Sequence, residues 1–217
     1  MTFAPAAAAS RAAEVSALDA YLGIPADGSH QIPTLEAAIR DARETMKDRK
    51  ALWLATLGYL IVVEMLGQSV ARPGTAFPNR GTPTNRFLAG AQEFSARPIT
   101  PDDARALYGL RCAFAHEYGL RSNRSAVGHV FKLDRVGSLV KAAKVPWRSA
   151  PDPSNPKNRI WPSPVPDNQT EVNVFEVGVF VEELVGNVRS EHQVANVVLA
   201  PKMDPMQLRN FGQFLIR

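Results

Sequence analysis

The chain has 217 residues, 45% of them apolar, and a formal net charge of +4, which is enough apolar material for one substantial core and points to a single domain with extensions. Its single cysteine, Cys112, excludes an intramolecular disulfide framework and a multi-cysteine zinc site, and it fits a reducing, cytoplasmic setting. Lys plus Arg against Asp plus Glu runs 6 against 8 over residues 1–67, 15 against 6 over residues 68–160 and 4 against 7 thereafter, so the middle third carries the local basic excess expected of a protein that meets a polyanion, most often nucleic acid.

Residues 1–30 are Ala-rich but lack the basic start and strongly apolar run of a signal peptide, and they read as a flexible tail ahead of one domain over residues 31–217. Leu35, Ala38, Ile39, Ala42 and Met46 recur at spacings of three and four and predict an amphipathic helix over residues 34–50. A more apolar helix follows over residues 52–66. Its run from Ala51 to Val63 stops at Glu64, well short of the roughly 20 residues that span a bilayer, so it reads as a core helix and gives no reason to expect a membrane partner. Pro73, Pro78 and Pro83 then force a loop before a third helix at about residues 86–95. Thr100 is a suitable N-cap for a fourth, with Pro101 at its first position and Asp102 and Asp103 beside the positive end of its dipole. Leu107, Leu110, Ala113 and Phe114 form its buried stripe, and Gly119 marks its expected end.

Beyond that helix, His129–Asp134 alternates like a strand, with Arg159–Trp161 or Thr170–Val174 as its expected hairpin partner. Seven prolines between Pro146 and Pro166 predict an extended surface loop. Helices at about residues 175–191 and 204–216 complete the count. The fold class expected is therefore mainly α, a helical bundle with a small β-hairpin and a Pro-rich extension at about residues 121–174.

The segment Leu107–Leu120, LYGLRCAFAHEYGL, places Arg111, His116 and Tyr118 in the pattern R-x4-H-x-Y. A permanent cation, a near-neutral base and a phenol within two turns suit phosphodiester chemistry. Chance supplies about one R-x4-6-H match in a chain of this composition, and Arg124 with His129 makes a second. Requiring Tyr two positions later lowers the random expectation to about 0.02, and only the Arg111 match meets that requirement.

In this motif and its helix the chain resembles the HEPN superfamily, helical-bundle proteins that include toxin and antiviral ribonucleases. The resemblance implies a homodimer whose two motifs face one cleft, and metal-independent endoribonuclease activity needing no cofactor. It makes Arg111 and His116 the catalytic pair. His116 would move protons at the ribose 2′-hydroxyl or the leaving 5′-oxygen, and Arg111 would hold the scissile phosphate. It also implies a toxin–antitoxin or defence setting, in which a partner nucleotidyltransferase can silence the toxin by modifying Tyr118. Arg121, Arg124, His129 and Lys132 follow the motif and could, with Tyr118, extend an RNA-binding track.

Two features depart from the family pattern. The residue after the arginine is Cys112 where active members commonly carry a polar group, which keeps a catalytically inactive HEPN-like RNA- or nucleotide-binding or protein-interaction module as the alternative. Residues five apart on a regular α-helix also point about 140° away from each other. Cys112 and His116, four apart, would instead share a face, so a thiol–imidazole dyad is a further arrangement. Trp147 and Trp161, next to or near Arg148 and Arg159, fit either base stacking or anchoring of the Pro-rich loop, with anchoring the favoured of the two.

Overall fold

The computed structural model describes residues 4–24, 34–74, 82–117, 120–122, 128–200, 203 and 208. Among them the fold is mainly α, with helices α1 (Ala4–Leu22), α2 (Thr34–Met46), α3 (Leu52–Ser69), α4 (Pro83–Glu93), α5 (Pro101–Cys112) and α6 (Val174–Gln193). α5 continues directly into a π-helical turn, Ala113–Glu117. The strands are short: β1 (Val70–Ala71), β2 (Arg121–Ser122), β3 (His129–Asp134), β4 (Val140–Lys141), β5 (Ala150–Asp152), β6 (Asn155–Ile160), β7 (Gln169–Asn173) and β8 (Val198–Leu199).

α3 is the central helix. By length and composition it could cross a membrane, but Tyr59, Leu60, Val63 and Leu66 are among ten of its residues buried in the protein core. α4 crosses it at a glycine pair: a Cβ on Gly67 would stand 1.7 Å from the Arg86 carbonyl oxygen, and one on Gly90 would stand 2.0 Å from that of Val63. The two backbones can approach so closely only because neither residue has a side chain. α5 starts where the Thr100 hydroxyl accepts a hydrogen bond from the Asp103 N–H, as the cap sequence predicts. α6 starts at Asn173, whose side chain accepts from the N–H groups of Phe175 and Glu176. It buries Val177, Phe180, Val181, Leu184, Val185 and Val188 against the other helices, each such side chain contributing about 1.5–3 kcal/mol.

The N-terminal segment departs from the flexible tail expected of it. α1 buries Ala17, Leu18, Tyr21 and Leu22 in the core. His192 Nε2 lies 2.8 Å from Asp19 Oδ1, Arg189 Nε donates to the Leu22 carbonyl at 2.6 Å, and the Leu199 N–H donates to Glu14 at 2.8 Å. An Ala-rich helix shows little periodic contrast, so the short apolar face at its C-terminal end is easily passed over.

The strand expectation is half met. β3 spans His129–Asp134 as read, but β7 pairs with it in parallel, Val130 opposite Gln169 and Asp134 opposite Asn173, instead of forming a hairpin. A parallel return needs a long connection, and residues 135–168 supply it. The four-stranded sheet runs β2-β3-β7-β4. The Pro-rich stretch is more ordered than a loop, since β5 and β6 form their own antiparallel hairpin within it. Of the expected C-terminal helix, only Leu208, 1% exposed, lies among the described residues.

Candidate functional site

Arg111 sits on the last turn of α5 and reaches Glu64 of α3, with the guanidinium Nη2 2.9 Å from Glu64 Oε2. The pair is mostly withdrawn from water, the two side chains being 21% and 14% exposed. Glu64 occupies the outer arc of α3, which also carries the exposed Trp53, Leu54 and Ile61, and Trp53 meets Phe114 edge-on with ring centroids 6.1 Å apart. Tyr108, one turn before Arg111, packs its ring against Phe87 at 5.6 Å. Burial raises its phenol above the ordinary pKa, a hydrogen bond with Thr84 opposes the rise, and Cys112 and Glu64 add to it. Cys112 is itself 1% exposed.

His116 enters through the backbone of the π-helical turn Ala113–Glu117, a turn wound on i→i+5 instead of i→i+4 hydrogen bonds. That wider winding turns position 116 back toward the side of the axis that holds position 111, easing the 140° separation of a regular α-helix. Turns of this kind are frequent at functional sites. The His116 side chain, Tyr118 and Arg124 lie outside the described residues.

The other described residues of the expected track divide between the two faces of the sheet. His129 faces inward from β3, its ring stacked on Phe131 at 5.4 Å, with Cδ2 3.3 Å from where a Cβ on Gly109 would stand. Burial lowers its pKa. Lys132, on the opposite face by strand alternation, lies 3.5 Å from both Glu171 and Asp134. Arg121 pairs in register with Val130 and so shares the face of Lys132. Trp147 is buried, donates its indole N–H to the Pro162 carbonyl at 2.9 Å, and stacks on Trp161 at 4.2 Å over Gly128. These contacts anchor the Pro-rich segment and leave Trp147 unable to stack on a base.

The basic middle segment is also partly neutralised from its flanks. Arg72 pairs with Glu191, Arg97 with Glu176 and Glu183, Arg111 with Glu64, Lys132 and Lys141 with Glu171, and Lys144 with Asp167. The residue that sequence reasoning missed is Glu64. Its signal was present, because a carboxylate that interrupts a long apolar run needs a partner once the helix is buried.

Among the described residues no three His, Cys, Asp or Glu side chains gather where they could hold a metal ion. The structure defines the class of protein as a mainly α bundle with a small mixed sheet against the fifth helix. Compared with models of known families, with curated proteins and with solved structures, the chain matches none.

Proposed function

We propose that this chain is a HEPN-like, metal-independent endoribonuclease, acting as a homodimer in a toxin or defence setting. The observation that carries the reading is the R-x4-H-x-Y motif at the end of α5, with its histidine inside the π-helical turn that follows the arginine. In this reading His116 accepts the proton of the ribose 2′-hydroxyl as its oxygen attacks phosphorus, or donates a proton to the departing 5′-oxygen. The P–O5′ bond breaks, leaving a 2′,3′-cyclic phosphate and a 5′-hydroxyl. Arg111 has five donors in a fixed fork, so Glu64 can orient the guanidinium while other N–H groups meet the non-bridging phosphate oxygens.

One observation favours a second reading. A guanidinium already held by a partly buried carboxylate, followed by Cys112, suits a module that binds RNA without cutting it, with salt-sensitive affinity. Incubating the protein with labelled mixed-sequence RNA in EDTA, alongside His116→Ala, separates the two. Cleavage by the wild type alone, leaving cyclic phosphate ends, supports the ribonuclease. Salt-dependent binding without cleavage supports the module. Loss of cleavage on chelation would sink the metal-free mechanism, and absence of both binding and cleavage would sink both readings.

A further inference from the structure

A second site lies on another side of the bundle, in a groove of about 320 Å³ between α2, α3 and α6. Tyr59, which lines it, leaves α3 about 140° around the axis from Glu64, and the groove plays no part in the chemistry proposed above. Its volume falls at the lower end of the range for small organic ligands.

The groove is apolar inside and carries Arg43, Lys47 and Glu182 at its rim. Gly178 and the Tyr59 ring lie together in the lining, where a Cβ on Gly178 would stand 3.1 Å from Tyr59 Cε2. Met46, Phe175 and Val179 line it as well. Phe175 and Val179 are each 43% exposed and sit one turn apart on α6, an arrangement that leaves apolar surface uncovered in the free protein.

Arg43 lies on the last turn of α2 and Lys47 directly follows the end of that helix. The one acidic side chain in the lining, Glu182, is already engaged: Arg43 Nε donates to its Oε1 at 3.0 Å, Arg43 Nη2 lies 3.0 Å from its Oε2, and the Tyr59 hydroxyl donates to it at 2.8 Å. Those bonds hold the Glu182 carboxyl below its ordinary pKa. Lys47 is engaged by Glu44, an exposed neighbour on the same surface, and such pairs open readily in water. Within the lining two cations face one carboxylate, and Lys47, whose partner Glu44 lies outside the lining, is the cation that a ligand's carboxylate can take over.

We propose that this groove binds a monoanionic amphiphile, an acyl or aryl carboxylate. Its apolar body lies among Met46, Phe175, Val179 and the Tyr59 ring, and its carboxylate meets Lys47 and the outer edge of Arg43. A protein partner is a poorer fit, because a stable one covers about 800 Å² per side and this surface offers a few apolar side chains around a concavity.

Isothermal titration calorimetry on the full chain tests the assignment with decanoate and 2-naphthoate as anionic probes, against decanol and decyltrimethylammonium. The expected result is saturable one-to-one binding of at least one carboxylate, weaker binding of decanol and none of the cation. Lys47→Glu should weaken carboxylate binding about fivefold or more. Val179→Trp should fill the groove and abolish binding while leaving the melting temperature near that of the wild type, since Val179 is a surface position. Absence of saturable binding to both carboxylates, equal affinity for the cation, or binding unchanged in both variants would overturn the proposal.

Discussion

Arg111 on α5 and Glu64 on α3 form a mostly buried ion pair at 2.9 Å, joining the end of the motif helix to the middle of the central one. Deleting one partner leaves the other charge in a poorly hydrated place. Fully buried pairs lose about 3–5 kcal/mol in that way. With the residual exposure here, Glu64→Ala is expected to cost about 2 kcal/mol, a fall of roughly 4–8 °C in Tm. A melt within a degree or so of the wild type would show that the pair contributes nothing.

The same pair bears on the proposed chemistry. If Glu64 orients Arg111, Glu64→Gln should lower RNA cleavage about tenfold, less than His116→Ala, which should lose about 10²-fold or more. If Glu64 instead withholds the guanidinium from phosphate, Glu64→Gln should raise cleavage. Single-turnover rates on one labelled RNA distinguish the two signs.

The crossing of α3 and α4 predicts a sharp contrast among glycines. Gly90→Ala places a methyl group 2.0 Å from the Val63 carbonyl oxygen, and overpacking of this kind costs about 2–3 kcal/mol, roughly 5–10 °C in Tm. Gly186 on α6 has nothing within 4 Å of its Cβ position. Gly186→Ala should therefore stabilise by about 0.5–1 kcal/mol through helix propensity. Thermal melts of the two variants should move in opposite directions.

The burial of His129 predicts a dependence of stability on pH. Burial lowers its folded pKa, so between that value and the unfolded value of about 6.5 the unfolded chain binds more protons. The contribution is fully present above about pH 6.5 and is lost as pH falls through the folded pKa. Melting temperatures at about pH 7.5 and about pH 5 should differ more in the wild type than in His129→Phe, which keeps a ring over Gly109 without the titration. An identical difference in the two proteins would assign the acid sensitivity elsewhere.

The Trp147–Trp161 stack predicts a structural phenotype. Trp147→Ala should destabilise by about 3–5 kcal/mol, as removal of a buried indole does. Trp161→Ala, at a less buried position, should cost less and, under the proposed function, leave RNA affinity unchanged at fixed salt. A loss of RNA affinity in Trp161→Ala without a stability change would return this ring to the binding surface.

What the amino-acid sequence determined by itself is local. The apolar spacing of Leu35, Ile39, Ala42 and Met46, the Thr100 cap and the alternation of His129–Asp134 each act within a few residues, and each appears in the structure as an element near its expected place. The R-x4-H-x-Y motif is likewise a property of one short segment. The tertiary structure decided which distant residues meet: Glu64 against Arg111, Asp19 against His192, β7 parallel to β3, and the basic middle segment against acidic flanks. It also separated His129 from Lys132, because alternate strand residues face opposite ways and only the packing of β3 on α5 determines which face is inside. The tail became a helix for the same reason, since four apolar residues at its end stabilise it only when a core is present to receive them.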